Sequence, residues 1–223
     1  MTDQGGIENT AFITPPAWWE PLLGGAGCAA SAAMHGHAFL VTSEDGDEAS
    51  LFTQFLAARR LCQHSDGTGP CRECTSCRMF LQATHGDFLM VRRQEGKTAI
   101  GIEQIRDATR FVQQTTLYGD SKVLLVEAAE QMTLAAANSL LKTLEEPAGN
   151  TLILLASSGI WRLPATVRSR CQRIMLPQAS PSEAVSWLAQ QLGCNTDDAA
   201  DRLSYTRNLP IAAWTTSDTT DLS

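Results

Sequence analysis

Apolar positions along this chain fall into short continuous runs that alternate with longer helical stripes. The clearest case is Lys122–Pro147, KVLLVEAAEQMTLAAANSLLKTLEEP. Val123–Val126 is a short apolar run rich in β-branched residues, which suits a strand buried on both faces of a parallel sheet. Polarity changes at Glu127, and Thr133 stands where a helix N-cap would. Leu134, Ala137, Leu141 and Leu144 then recur at helical spacing along one face. Pro147 stops that helix, because its ring biases Glu146 away from helical angles. The loop Glu127–Thr133 therefore lies at the carboxyl end of a strand, where open α/β sheets bind their ligands.

His37–Val41 (HAFLV), Asp87–Arg92 (DFLMVR) and Thr151–Ala156 (TLILLA) repeat the strand pattern. Helices are predicted over Leu22–Met34, where Gly24, Gly25 and Gly27 weaken the signal, and over Leu51–Leu61 after a polar loop Thr42–Ser50. A further helix carries Ile102, Ile105, Ala108 and Val112, up to a break at Gly119. Pro177–Pro181 reads as a linker. Beyond it, Ser180, Pro181 and Glu183 form a capping box with proline at the first helical position, and Gly193 caps the helix that ends near Leu192. Short helices near Asp197–Leu203 and after Leu209–Pro210 complete a small helical unit. Strands alternating with helices predict an α/β fold with a parallel sheet.

Charge narrows the function classes. Seventeen basic against 24 acidic side chains give a net charge of −7. That opposes unaided binding to nucleic acid, though not contact inside an assembly whose other members supply cations. Met1–Ala11 has no basic or apolar leader pattern, and no run is long enough to span a membrane, so a cytoplasmic protein is expected.

The first strand, loop and helix have the setting of a phosphate-binding loop. On the pattern G-x-x-x-x-G-K-[ST], Ser43 and Glu48 fall at the glycines, Ala49 at the lysine and Ser50 at the hydroxyl. Glu44, Asp45, Asp47 and Glu48 would face a triphosphate, and one like-charge contact near 4 Å costs roughly 4 kcal/mol even at an effective dielectric of 20. The loop reads as an acidic, solvated turn that binds no nucleotide. Next, Cys62, Cys71, Cys74 and Cys77 form C-x8-C-x2-C-x2-C. In a chain without a secretory signal, this favours a closed, structural tetrathiolate zinc site over disulfides or a redox pair. His64 and His85 read as surface loop residues rather than ligands. Arg162, Arg168, Arg170 and Arg173 concentrate positive charge late in the chain.

With HAFLV, the four cysteines, KVLLVE, NSLLKTLEEP and RSRC in this order, the chain resembles the delta-prime family of bacterial DNA polymerase III clamp-loader subunits, relatives of the AAA+ ATPases. The resemblance runs from about Trp18 to Trp214. It implies a Rossmann-like AAA+ domain over residues 1–176, with the zinc module inserted at about 62–85, then a small helical domain over 177–223. The family's collar-forming third domain would begin where the chain stops, at Ser223, so the collar is expected to be absent.

The resemblance also implies lost ATPase equipment. At the second nucleotide motif the metal-binding Asp is Glu127 and the catalytic Glu is Ala128. The second-domain arginine of active relatives aligns with Ile211. What survives is the arginine of S-R-C, Arg170, which in clamp loaders reaches a neighbour's nucleotide; Arg168 is the lesser candidate. The implied function is a silent subunit that binds no ATP, carries a structural zinc and braces the ATPase motor and delta subunits. It would meet DNA only within the assembly and the sliding clamp only indirectly. An inactive AAA+ adaptor in DNA repair or recombination is the alternative. An ATP-driven motor would need Lys at position 49, and a zinc enzyme an open coordination position.

Overall fold

The computed structural model describes residues 15–23, 36–65 and 69–216. Five parallel strands make one sheet in the order β2-β3-β4-β1-β5: β1 Ala38–Thr42, β2 Phe88–Val91, β3 Lys122–Val126, β4 Thr151–Ser157 and β5 Gln172–Met175. The predicted strands are all present, trimmed or extended by a residue or so. β5 was not predicted. It is an edge strand with only Ile174 buried, so its sequence carries neither an apolar run nor an alternation.

Every residue of β3 and β4 is buried, and alternate side chains feed two cores. Leu124, Val126, Ile153 and Leu155 face α4 (Ile102–Gln113) and α5 (Leu134–Glu145). Val123, Leu125, Leu152 and Leu154 face α2 (Gly46–Leu61) and a group that includes Trp18 and Trp19. Thr133 caps α5 as predicted, its hydroxyl accepting from the Ala136 N–H. The buried stripe, however, is Ala136, Ala137, Leu140, Thr143 and Leu144, while Leu134 is 67% exposed. Ala137 and Leu144 keep their predicted places, while Ala136, Leu140 and Thr143 take the buried positions expected of Leu134 and Leu141.

α2 begins at Gly46, five residues before the predicted start at Leu51. Asp45 caps it by accepting from the N–H groups of Asp47 and Glu48, whose own acidic side chains suit the positive end of the helix. Glu48, Ala49 and Ser50 thus lie in its first turns rather than in an open loop. The helix is buried nearly all round, polar Thr53, Gln54 and Arg59 included, because the sheet covers one side and the C-terminal helices another. Trp19 stacks edge-on against Phe52 at 4.9 Å between ring centroids.

The cysteine segment contains a helix not foreseen, α3 (Thr75–Leu81), capped by Cys74. α1 (Glu20–Leu23) is one turn long; most of the helix predicted over Leu22–Met34 lies outside the described residues. After the short α6 (Ala165–Arg168) come α7 (Pro181–Leu192), α8 (Thr196–Tyr205) and α9 (Pro210–Thr215). Ser180 and Glu183 form the predicted capping box, and Gly193 takes the left-handed cap conformation. Trp187, Leu188, Leu203 and Ile211 carry the apolar face of this group into the core around α2.

Candidate functional site

A cleft of about 610 Å³ opens at the carboxyl ends of the strands, between α2, the loop after β3 and α9. Open α/β sheets bind their ligands at this end. Among the described residues five carboxylates line the cleft, from Glu44, Asp45, Asp47, Glu127 and Glu130, against the single guanidinium of Arg92.

The loop is only in part the solvated turn its composition suggests: Glu44 and Asp47 are exposed, Asp45 and Glu48 are not. Glu48 is buried; its Oε1 accepts from Trp18 Nε1 at 2.6 Å and Trp19 Nε1 at 3.0 Å, and its Oε2 from the Ser43 hydroxyl. Asp45 is buried too, and its second oxygen accepts from the Ala212 N–H of α9 at 3.1 Å. Burial pushes the Asp45 carboxyl above its ordinary range, against the pull of these N–H groups. The reason is tertiary: the two indoles and α9 close over residues that in isolation would face water.

The second motif is equally self-satisfied. Glu127 accepts from the Ser50 hydroxyl and from Gln54 Nε2 at 3.1 Å. Burial drives its pKa up, with the Ser50 hydrogen bond opposing. Ala128 holds a left-handed backbone, φ 45°, and offers the cleft only a methyl group. Ile211 is fully buried in the core, so its position puts nothing into the cleft. Among the described residues no lysine lines the cleft, and Ala49 is buried.

Sequence reasoning missed the roles of Trp18, Trp19 and Gln54. A tryptophan pair thirty residues from its carboxylate leaves no local pattern to read.

The four cysteines do converge. Cys62 follows α2, Cys71 and Cys74 lie in the turn, Cys77 lies in α3, and their sulfurs all fall within 4.8 Å of one another. Backbone N–H groups of Cys71, Cys74 and Cys77 point at the sulfurs of Cys62, Cys71 and Cys74, at 3.3–3.4 Å. The N–H of Cys74, then that of Glu73, lowers the Cys71 thiol to about 6, whereas burial raises Cys62 and Cys77. Metal–sulfur bonds of about 2.3 Å imply tetrahedral sulfur–sulfur edges near 3.8 Å, and Cys71 Sγ lies 4.0 Å from Cys77 Sγ. A metal ion fits this donor set, and its charge would hold all four as thiolates.

His85, read from sequence as a surface residue, is buried instead. Its Nδ1 accepts from the Asp87 N–H at 3.1 Å. Its Nε2 meets the Ser76 hydroxyl at 2.7 Å, and that hydroxyl donates to the Leu61 carbonyl. His85 therefore ties α3 to the sheet edge and is not a metal ligand. Burial lowers its pKa, so it is held neutral.

Arg170 follows α6 and is about one-third exposed. Its Nε donates to Glu145 Oε1 at 2.6 Å, its Nη2 pairs with the same carboxylate, and its Nη1 donates to the Thr166 carbonyl at 2.9 Å. Arg168 points elsewhere, its guanidinium 5.1 Å from the centroid of the Trp161 ring.

Known proteins resemble the chain in sequence and in fold. The chain is 37% identical over 171 residues to a DNA polymerase III subunit delta' of Pseudomonas aeruginosa, covering 77% of this chain and 52% of that protein. It is 34% identical over 179 residues to the corresponding subunit of Escherichia coli, covering 79% and 53%. The chain thus spans about half the length of the curated relatives it matches. Among solved structures, a DNA polymerase III gamma subunit-related protein of Thermotoga maritima superimposes with a TM-score of 0.56 at 21% identity, over 81% of this chain and 53% of that one. The RuvB Holliday junction branch migration motor of the same organism gives 0.53 at 14%, over 83% and 55%. These two confirm the AAA+-type fold. A family profile described as DNA polymerase III, delta subunit, matches residues 29–180, and with that match covering well over half of its length, the chain belongs to this family, in its delta-prime branch.

Proposed function

We propose that this chain serves in the DNA polymerase III clamp loader as a subunit that neither binds nor hydrolyses ATP. It braces the ATPase motor and delta subunits and lends Arg170 in trans while the sliding clamp is placed on primed DNA. One observation carries the silent role. The phosphate-loop position is filled by the chain's own Glu48, locked by two indoles and a hydroxyl. A triphosphate in the adjoining cleft would face the carboxylates of Glu44, Asp45, Asp47, Glu127 and Glu130, with Arg92 as the one guanidinium among the described lining residues to offset them.

Cys62, Cys71, Cys74 and Cys77 hold one zinc in this reading. When bound, the ion supplies charge and a fixed crosslink, not a reactive position, since four thiolates close its coordination. His85 and Ser76 then transmit that rigidity to the sheet edge. The α/β unit over 1–176 and the helical unit over 177–223 act as one brace, with Ile211 and Ala212 of α9 seated on α2. No helix among the described residues is long and apolar enough to cross a membrane, which suits a subunit working in the cytoplasm.

Arg170 must exchange Glu145 for the neighbour's γ-phosphate, and its partial exposure leaves that exchange open. The test uses a reconstituted loader in which only the neighbouring site can hydrolyse. Arg170→Ala is expected to slow that site by roughly 10³-fold or more, the range of arginine fingers, with assembly retained. Arg168→Ala should leave it near the parent rate. Equal effects from both variants, or none from either, would refute the role given to Arg170. Saturable binding of ATP and Mg²⁺ by the isolated chain at micromolar levels would refute its silence.

A further inference from the structure

Trp161 is 83% exposed in the short turn after β4. The other four tryptophans are buried or half-buried. A single exposed aromatic needs no explanation, but this one is not solitary. The Arg168 guanidinium covers the ring at 5.1 Å from its centroid, and Arg162 lies exposed one residue on. Neither arginine has a salt-bridge partner among the described residues, and Arg168 Nε is buried without a hydrogen-bond acceptor. The contrast with Arg106, Arg110 and Arg170, each paired with a carboxylate, is direct.

The cause is compositional. From Pro147 to Ser182 the sequence contains arginines but no aspartate or glutamate. In a chain of net charge −7, that is a local reversal of sign. Glu130, on the loop after β3, accepts from the Ser158 N–H and hydroxyl through Oε1 and forms no salt bridge with either arginine among the described residues.

We propose that Trp161, with Arg162 and Arg168, forms a docking surface for single-stranded nucleic acid. A base would stack on the indole, and the two guanidinium groups would take the adjoining phosphates. A flat ring already supported by a guanidinium offers a π-face to any base, and unpaired arginines are donors that phosphate oxygens satisfy bidentately. An acidic protein segment would meet the charge but leave the ring without a planar partner. The surface stands apart from the arginine-finger reading, since Arg170 is engaged by Glu145 and is not part of it. It goes beyond contact made only inside an assembly, because it assigns the contact to this chain's own residues.

The experiment is a titration of the whole chain with a short oligothymidylate in low salt, read by tryptophan fluorescence and by anisotropy of a labelled strand. Stacking on Trp161 should quench emission, and Trp161→Phe should remove most of that quench. Trp161→Ala should weaken binding roughly 5- to 150-fold, the span of base–aromatic stacking. Arg162→Gln and Arg168→Gln should each lower the salt dependence by about one phosphate's worth. Arg110→Gln, the same charge loss on α4, should change neither. Circular dichroism verifies that each variant is folded. The proposal is overturned if the oligonucleotide does not bind in low salt, if Trp161→Ala binds as tightly as the parent, or if polyglutamate competes as well as the oligonucleotide. The last result would make the surface a site for acidic protein. Loss of Arg170 function leaves this titration unchanged, so the two readings fail separately.

Discussion

Replacing Glu48 should destabilise the chain by an amount that depends on what replaces it. The carboxylate is buried against the N-terminal segment, and one of its oxygens accepts from both Trp18 and Trp19. Glu48→Ala leaves two buried indole N–H groups without an acceptor, each costing roughly 1–3 kcal/mol. Ser43 is only part-buried and can turn to water, so its hydroxyl adds little. The expected loss is about 3–5 kcal/mol, a large share of the roughly 5–15 kcal/mol that stabilises a typical protein. Glu48→Gln keeps an acceptor oxygen for both indoles and loses only the charge assistance, about 1–2 kcal/mol. Urea unfolding followed by tryptophan fluorescence and far-ultraviolet circular dichroism measures the difference, provided the slope of stability against denaturant is unchanged. If the two variants unfold within 0.5 kcal/mol of each other, about the usual scatter of surface changes, the indole–carboxylate network does not hold the loop closed as argued.

Three further outcomes are expected. The purified chain should carry one zinc, and Cys74→Ser should lower that stoichiometry and open the 62–85 segment to protease while the sheet stays folded; metal analysis and limited proteolysis decide. Asp87→Ala should cost roughly 3–5 kcal/mol in denaturant unfolding, because Asp87 accepts from the N–H groups of Leu117 and Tyr118 and is the carboxylate partner of buried Lys122; Asp87→Ala with Lys122→Met should recover part of the loss. The folded-state pKa of Glu127 is raised, mainly by burial, so its ionisation costs stability as pH climbs from the ordinary glutamate value through the raised one. Unfolding measured across that window should show the parent losing stability relative to Glu127→Gln, and a parallel pair of curves would refute the shift.

Much of the fold was legible in the sequence because its signals are local. Val123–Val126 and Thr151–Ala156 are apolar throughout, as a strand covered on both faces requires, and Thr133, Ser180 and Gly193 mark helix ends through their own backbone chemistry. The cysteine spacing was legible for the same reason: three of the four cysteines, Cys71, Cys74 and Cys77, sit within seven residues. β5 was not, because an edge strand buries a single residue and leaves no period. The face of α5 was legible in part: Ala137 and Leu144 keep their places, while Ala136, Leu140 and Thr143 take those expected of Leu134 and Leu141. The acidic loop after β1 has the composition of a solvated turn, and Glu44 and Asp47 do stay exposed; only the arrival of Trp18, Trp19 and α9 buries Glu48 and Asp45. Likewise Trp161 and Arg168, seven residues apart with no shared motif, become a stacked pair only when α6 folds back. Sequence determines what each segment can bury and how each helix begins and ends; tertiary structure decides which polar groups lose water, since desolvation depends on neighbours far away in the chain.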